Sequence, residues 1–493
     1  MSFREFYETH LLTEATAETE VERFLLKLLP STPYKNLVHA VGGYVRDQYR
    51  RELLNDPSIN PNDLDIVVEL EDGAKKVTHY LHDLLGDKVT TPYQLGAYPI
   101  WAIVFNDDIE YKGETFKTSG AKIEFADTQE EFYPDRNSRQ RETRYASLKK
   151  DIERRDFTMN MLIKNLTTGE IVDLTGYSKE DIKNKIIRGN PDVSFDKIID
   201  EDALRMVRFI RFQAKYDLTA PADAIETIKR NVERITSISN ERISTELFKI
   251  MNAGKMYTAV KMMDETGLLH YILPEIEALK GVQQNPEHHK EGDAYIHTLM
   301  VLKNAEKGAL NQLAALLHDV GKAKVTTTKD DKIISHGHDS VGSIMAGEAL
   351  ERLKMFAVDD IEPNIVSKVK TVVKYHMRPY ELLRINADAK TIRRFIRDVG
   401  STELVTAILN LASADERGKI PPSDNIPALR KKIEEAGAEI PKPVLKGDEV
   451  MTLLGLKTGT EVGRAMKILK DLQDEYGAEL TKEKAKEELL RRF

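Results

Sequence analysis

The sequence contains no cysteine. Disulfides, thiolate zinc sites and cysteine nucleophiles are excluded, and a reducing cytoplasm is the expected setting. No apolar run comes near the roughly 18 residues that span a bilayer, so no membrane contact is expected. The first residues, Met-Ser-Phe-Arg-Glu-Phe-Tyr-Glu, lack the basic-then-apolar order of a signal peptide. An excess of positive charge is also missing. The formal net charge is −8, which argues against non-specific coating of nucleic acid but leaves room for a local basic groove. What is present is a chain of 493 residues, enough for two to four domains of about 150 residues each, with no short repeat or low-complexity tract.

The first third mixes short β-branched runs with polar connections. Residues 37–41, 65–68, 101–105 and 122–125 predict strands, each bounded by Gly, Asn, Asp or Pro, and 73–85 predicts a helix. From about Asp151 helical periodicity takes over, with 170–173 the one obvious later strand. The fold class expected is α+β, a mixed head followed by a long helical body. The segment from Pro421 to Pro443 holds many of the later prolines and reads as a junction to a helical tail. The segment from Pro134 to Arg155 is locally basic, either a solvated face or a mobile phosphate-contacting loop.

In the head, the strand ending at Val41 is followed by Gly42-Gly43 and the start of a helix. Glycines let backbone approach a phosphate, and amides at a helix start point toward it, so Gly43 is a candidate phosphate contact. Arg46, in the first turn, would add a charge-assisted bond. Asp63-Leu64-Asp65 opens the next strand. Strand alternation would put both carboxylates on one face, where they repel unless cations sit between them, and magnesium suits such oxygen ligands. An Asx turn capping a strand would have the same sequence. Glu124, on another expected strand, is a candidate third ligand.

Two further patterns stand out. Asp202, Arg205, Arg208 and Arg211 recur every three residues on an expected helix, which a basic exposed face alone would explain. His297, His318-Asp319, His336, His338, His376 and Asp415 offer imidazoles and carboxylates to a divalent or borderline transition metal that activates water.

Val41-Gly42-Gly43-Tyr44-Val45-Arg46-Asp47 with Asp63-Leu64-Asp65 resembles the first motif of the class II tRNA nucleotidyltransferase and poly(A) polymerase family. Arg154-Arg155-Asp156-Phe157-Thr158-Met159-Asn160, Asp173-Leu174-Thr175-Gly176, the run from Glu201 to Phe212, and Glu241-Arg242-Ile243 resemble the motifs that follow, in order. His297, His318-Asp319 and Asp415, with Gln283-Gln284, His288 and the run Gly292 to Leu299, are similar to the branch carrying an HD metal-phosphohydrolase domain. So are Lys446-Gly447-Asp448 and the run Gly455 to Gly463 in the tail.

The resemblance implies addition of the 3′-terminal CCA to tRNA from CTP and ATP, without a nucleic-acid template. It implies Mg2+ on Asp63 and Asp65, and Gly43, Arg46 and Arg155 on the nucleotide. Asp202 and Arg205 would select the base, the acid accepting from the amino group of C or A and the arginine donating to a ring nitrogen or the cytosine carbonyl. Arg208 and Arg211 would address phosphates or brace that pair. At the HD site a divalent metal (Mg2+, Mn2+ or Ni2+) would lie on His297, His318, Asp319 and Asp415, with His336, His338 and His376 as further candidates. The domains implied are an extension (1–35), a head (36–165), a neck (166–275), an HD domain (276–420) and a tail (421–493). Poly(A) addition, addition of C or A alone, and an HD phosphohydrolase with an RNA-binding head are the alternatives. The chain departs from the family at Gln129, where Arg is usual, and at Met161, where Ala is usual. The extension matches no family motif.

Overall fold

The computed structural model describes residues 17–96, 99–132, 142–286, 289–330, 332–436 and 444–493. The chain divides into two compact units: Met1–Arg205 with Tyr216–Asn231, and Met206–Lys215 with Val232–Phe493. The neck expected over 166–275 is therefore shared between the two.

The first unit is built on a seven-stranded sheet. Its strands are β1 (Val38–Val41), β2 (Asp65–Val68), β3 (Tyr93–Gln94), β4 (Ile100–Val104), β5 (Lys122–Asp127), β6 (Leu162–Asn165) and β7 (Ile171–Asp173), in the spatial order β7-β6-β1-β2-β5-β4-β3. Only β2 and β5 pair in parallel. Helix α1 (Gly42–Leu54) leaves β1 directly, and α2 (Gly73–Leu85) follows β2. Asp127, at the end of β5, accepts a hydrogen bond from the Ala74 amide at 2.7 Å and so satisfies one of the free amides at the start of α2. Along β5, Ile123 and Phe125 turn into the core while Glu124 faces the other way. Met161 is buried with Val41, Val67, Leu148, Ile152 and Ile163, so this departure from the family pattern is a packing residue.

The expected strands and the helix at 73–85 are present within a residue or two at their ends. β6 was not expected. It lies inside the stretch read as helical, yet it pairs antiparallel with both β1 and β7. An apolar run this short carries no usable period, and only its neighbours in the sheet decide its conformation. Two hairpins were also missed, Ile109–Tyr111 with Glu114–Phe116 and Gln129–Phe132 with Glu142–Tyr145. The second strand of the latter lies within the basic segment, of which Arg136, Arg139 and Arg141 lie outside the described residues. From residue 17 the N-terminal extension is part of this unit. Residues 17–28 are helical. Phe24 meets Phe105, Tyr111 and Phe116 edge-on, and Glu22 accepts from the Tyr44 hydroxyl at 2.6 Å.

The second unit is helical apart from the hairpin Thr327–Lys329 with Lys332–Ile334. The division between units falls inside α3 (Leu204–Tyr216). After α4 (Asn240–Asn252), the helices α5 (Ala294–Asn304), α6 (Ala309–Leu317), α8 (Ile365–Tyr375) and α9 (Thr402–Gly418) pack on one another, and α7 (His338–Arg352) lies along α8. The proline-rich junction contains a helix, Ile426–Glu435, and its residues 437–443 lie outside the described part. The last three helices close a small core of their own around Leu445, Val450, Leu469, Leu472 and Leu489. Among the described residues no helix is long and apolar enough to cross a membrane.

Candidate active sites

In the first unit the candidate site forms where β1 meets α1. Gly42 has a φ of +72°, which glycine adopts without cost. A Cβ there would lie 3.4 Å from Arg155 Nη1 and 3.8 Å from Asp65 Oδ2. The missing side chain thus lets a carboxylate and a guanidinium approach the same stretch of backbone. Sheet pairing puts Asp65 level with Val41 on one side and Glu124 on the other. Asp63 is not on the strand. Its φ is +60°, a left-handed turn that Asp tolerates better than most residues, and the strand begins only at Asp65. The turn, and not strand alternation, brings both carboxylates to one cleft. Glu18, Lys122 and Glu124 also line this cleft of about 450 Å³.

Enclosure by the protein, with Asp63 and Glu124 nearby, pushes the Asp65 carboxyl up to about 6 although its oxygens open to the cleft and Arg155 pulls the other way. Burial and then the charge of Asp63 raise Glu18 to about 7. Carboxylates that resist ionising together are what a hard divalent cation stabilises, so the donor set fits one. Lys122 Nζ, 2.7 Å from Glu124, offsets only one of these charges.

The arginines differ in which groups hold them. Arg155 Nη2 lies 3.3 Å from Asp151, and Arg154 Nη2 is 2.7 Å from the same buried carboxylate. Asp151 also accepts from the Gln129 amide at 3.2 Å, and Arg154 Nε donates to the Gln129 carbonyl at 2.9 Å, so the backbone at this second family departure is held from both sides. Arg46 is buried and donates to Asp47, to Asn160 at 2.7 Å and to the Tyr216 hydroxyl at 2.7 Å. Those bonds tie α1 to the turn at Asn160.

Asp202 does not lie on the helix that carries the arginines. Its backbone is extended, with φ −158°, and its carboxylate accepts from the Leu204 amide at 3.1 Å, at the start of α3. A side chain that satisfies a free amide of the first turn competes with helix at its own position. Arg205 donates to the Ile198 carbonyl at 3.1 Å and pairs with Glu201 at 2.9 Å. Arg208 and Arg211, in the second unit, both face the buried Glu246 of α4, Arg208 at 3.6 Å and Arg211 in direct contact.

The second unit gathers a separate ligand set. Nε2 of His297 is 3.1 Å from Asp415 and 3.7 Å from Asp319; Nε2 of His318 is 3.1 Å from Asp319. Nε2 of His338 and of His376 lie 3.3 and 3.9 Å from the other oxygen of Asp319. Each ring is turned by its Nδ1. His318 bonds to the Ala315 carbonyl at 2.9 Å, His338 to Ser335 at 2.8 Å, His376 to Val373 at 2.6 Å, and His297 to the Glu291 carboxylate at 2.8 Å. All four therefore present Nε2 to one carboxylate. Two ligand atoms each about 2.1 Å from one ion and at right angles lie about 3 Å apart, the spacing seen here. His318 Nε2 and Asp415 Oδ1 are buried and face ligand atoms of the same cluster at 3.1 Å, a donor set that again fits a cation. Asp319 belongs to two ligand triads, one with His297 and His318, the other with His338 and His376.

Charge in this cluster is strongly biased. Burial, followed by the neighbouring His318 and His338, pushes His376 down to about 3. Burial opposes the charged form of His297 as well, but hydrogen bonds to Asp415 and Glu291 lift it to about 9. Gly321 makes the geometry possible. A Cβ there would sit 2.1 Å from the His338 carbonyl oxygen, so any side chain would drive α7, and His338 with it, away from Asp319. His336 is exposed in the turn before α7 and takes no part in either triad.

Known families match three parts of the chain. The poly A polymerase head domain matches residues 38–188, a probable RNA and SrmB-binding site of polymerase A matches 221–280, and the HD domain matches 294–404. The chain thus carries a poly A polymerase head domain, followed by the RNA-binding segment and an HD domain. An A-adding tRNA nucleotidyltransferase of Deinococcus radiodurans is 29% identical over 66% of this chain and 74% of its own length. A CC-adding tRNA nucleotidyltransferase of Thermus thermophilus is 29% identical over 70% of this chain and 77% of its own. The crystal structure of the Bacillus stearothermophilus CCA-adding enzyme in complex with CTP shares the fold, with a TM-score of 0.62 at 20% identity over 97% of each chain.

The HD match stops short of Asp415, yet α9 returns that residue to His297. Residue type and motif order do not reveal the residues that orient the ligands. Glu291 holds His297 and, at 2.8 Å, His289, while His288 lies outside the described residues. Tyr380 donates to Asp415 at 2.6 Å, and Lys322 to Asp319 at 2.6 Å. Glu246 and Glu18 were missed as well. None has a spacing relative to a motif that would single it out.

Proposed function

We propose that this chain adds the 3′-terminal CCA to tRNA, taking C from CTP and A from ATP. The observation that carries the reading is the pair Asp63 and Asp65 facing one cleft beside Gly42 and Arg155. Asp63 and Asp65 would hold Mg2+, with Glu124 within reach as a third ligand. When bound, magnesium lowers the barrier to attack by the tRNA 3′-hydroxyl on the α-phosphate and neutralises the leaving pyrophosphate. The backbone at Gly43 and the side chain of Arg155 would contact the triphosphate or sugar, with Arg46 setting the angle of α1 beneath them. Asp202 and Arg205 would read the base, accepting from the amino group of C or A and donating to the ring. Arg208 and Arg211, held by Glu246, suit bracing better than phosphate contact. The body and tail would grip the acceptor arm through shape and phosphates. The HD cluster, with Mg2+, Mn2+ or Ni2+, would hydrolyse phosphoesters. The reaction would take place in the cytoplasm, in keeping with a cysteine-free chain.

A narrower reading, addition of C alone or A alone, draws on the names of the two relatives. The test is incorporation of labelled CTP, ATP and both into a tRNA lacking CCA. Two C followed by one A is the expected product. C alone or A alone from the mixture selects the narrower reading. Long A tails identify a poly(A) polymerase. No incorporation together with metal-dependent phosphate release makes the chain an HD phosphohydrolase with an RNA-binding head.

A further inference from the structure

The turn that carries Asp63 is held from outside its own motif. Leu64 stands between a left-handed residue and the first residue of β2, so its amide is not part of the sheet ladder. A backbone amide in an enclosed position needs a partner. Here the partner is Glu18 Oε2, 3.3 Å away, in the N-terminal helix and outside the segment matched by the head family.

That helix is itself pinned. Glu22, one turn along, accepts from Tyr44 of α1 and from Gln48, and pairs with Lys164 of β6. On its other flank Phe24 is buried against Phe105 and Phe116. The position of Glu18 is therefore fixed by the contacts of its helix with α1 and β6. A carboxylate placed beside two others is costly unless it does something for them, and Glu18 lines the same cleft as Asp63 and Asp65.

We propose that Glu18 is a positioning residue for nucleotidyl transfer: as an acceptor for the Leu64 amide it locks the left-handed turn that aims Asp63 and Asp65 at the same point. This rests on the reaction assigned above. Its action is by hydrogen bonding, so an uncharged acceptor should replace it.

The experiment compares wild type, Glu18→Gln and Glu18→Ala in the full-length protein. It measures amide exchange at Leu64, kcat and KM for CTP, and the melting temperature. Glu18→Ala should speed Leu64 exchange at least about 10-fold and lower kcat about 10- to 100-fold, with KM for CTP within about two-fold, because the turn loosens while the nucleotide contacts stay. Its melting temperature should not fall, since a carboxylate leaves an acidic cleft. Glu18→Gln should match wild type in exchange and in kcat. The proposal is overturned if Glu18→Gln is as defective as Glu18→Ala, which would make the charge the functional property. It is overturned too if Glu18→Ala matches wild type, or if it merely melts early. Exchange is read without turnover. A wild type that incorporated no nucleotide would overturn the assigned reaction, while the Glu18 contact would stand or fall by its own exchange rate.

Discussion

Glu291 accepts a hydrogen bond from Nδ1 of His297 at 2.8 Å, and so turns the Nε2 of that ring toward Asp319 and Asp415. Against the cost of burial, the bonds from His289 and His297 hold the Glu291 carboxyl below the usual range, so it stays ionised. A carboxylate behind a metal-binding histidine fixes its tautomer and raises its basicity, and removing such a partner costs about 10- to 100-fold in metal affinity. Glu291→Ala should weaken Mn2+ or Ni2+ binding to the HD cluster by that factor, as read by calorimetry, and leave nucleotide addition unchanged. Unaltered metal affinity would deny Glu291 this role.

The two ligand sets lie in different units and share no residue. Asp63→Ala should abolish addition, a loss of at least about 100-fold, and spare metal-dependent phosphate release. His318→Ala should do the reverse. Both activities measured on each purified variant are sufficient, and a joint loss in either one would contradict two independent centres.

Glu246 is buried and is the shared partner of Arg208 and Arg211. Removing one member of a buried ion pair leaves the other charge uncompensated, at a cost of about 3–5 kcal/mol. Glu246→Ala should lower unfolding stability by about that amount in urea, with Glu246→Gln losing less because it keeps an acceptor for Arg211. A loss of activity at unchanged stability would point to a direct role for the arginines in place of bracing.

Two histidines set opposite limits on the metal-free HD cluster. His376 sits at about 3, so between that value and the ordinary 6.5 the unfolded chain binds the extra proton, and stability falls as pH drops through this window. His297 sits at about 9, so between 6.5 and 9 the folded chain holds the extra proton, and stability falls as pH rises. The combined contribution of these two histidines to the stability of the metal-free protein should peak near pH 6.5. A metal must displace the His297 proton, so binding at about pH 7.5 should release about one proton, measurable by calorimetry in buffers of different ionisation enthalpy. His297→Asn should remove the alkaline limb alone, and His376→Asn the acidic limb alone. If either variant left its limb in place, the assignment would fail.

Much of both sites is legible in the residues themselves. Asp63, Asp65, His297, His318, Asp319 and Asp415 stand out by type and order, and His338 and His376 join the same cluster. His336, one of the looser candidates, does not, because a turn residue two positions from His338 need not share its direction. Arg46 and Asp202 are legible as motif members but not in their contacts. Arg46 spends its donors inside the head, and Asp202 ends one helix and begins another. Strand β6 escapes notice because four residues of mixed character fit either period.

The sequence by itself determined which atoms are available for chemistry. Side-chain type decides which groups ligate, accept or donate, and the motif order shows that they belong to two separate sets. Tertiary structure decided what holds those atoms in place. Glu18, Glu246 and Glu291 act across turns and helices on residues far along the chain or set off from any motif spacing, and no local periodicity encodes such a pairing. The left-handed turn at Asp63 and the bare backbone at Gly321 are the same kind of fact. Each matters because of what packs against it, and that is settled only when the units fold.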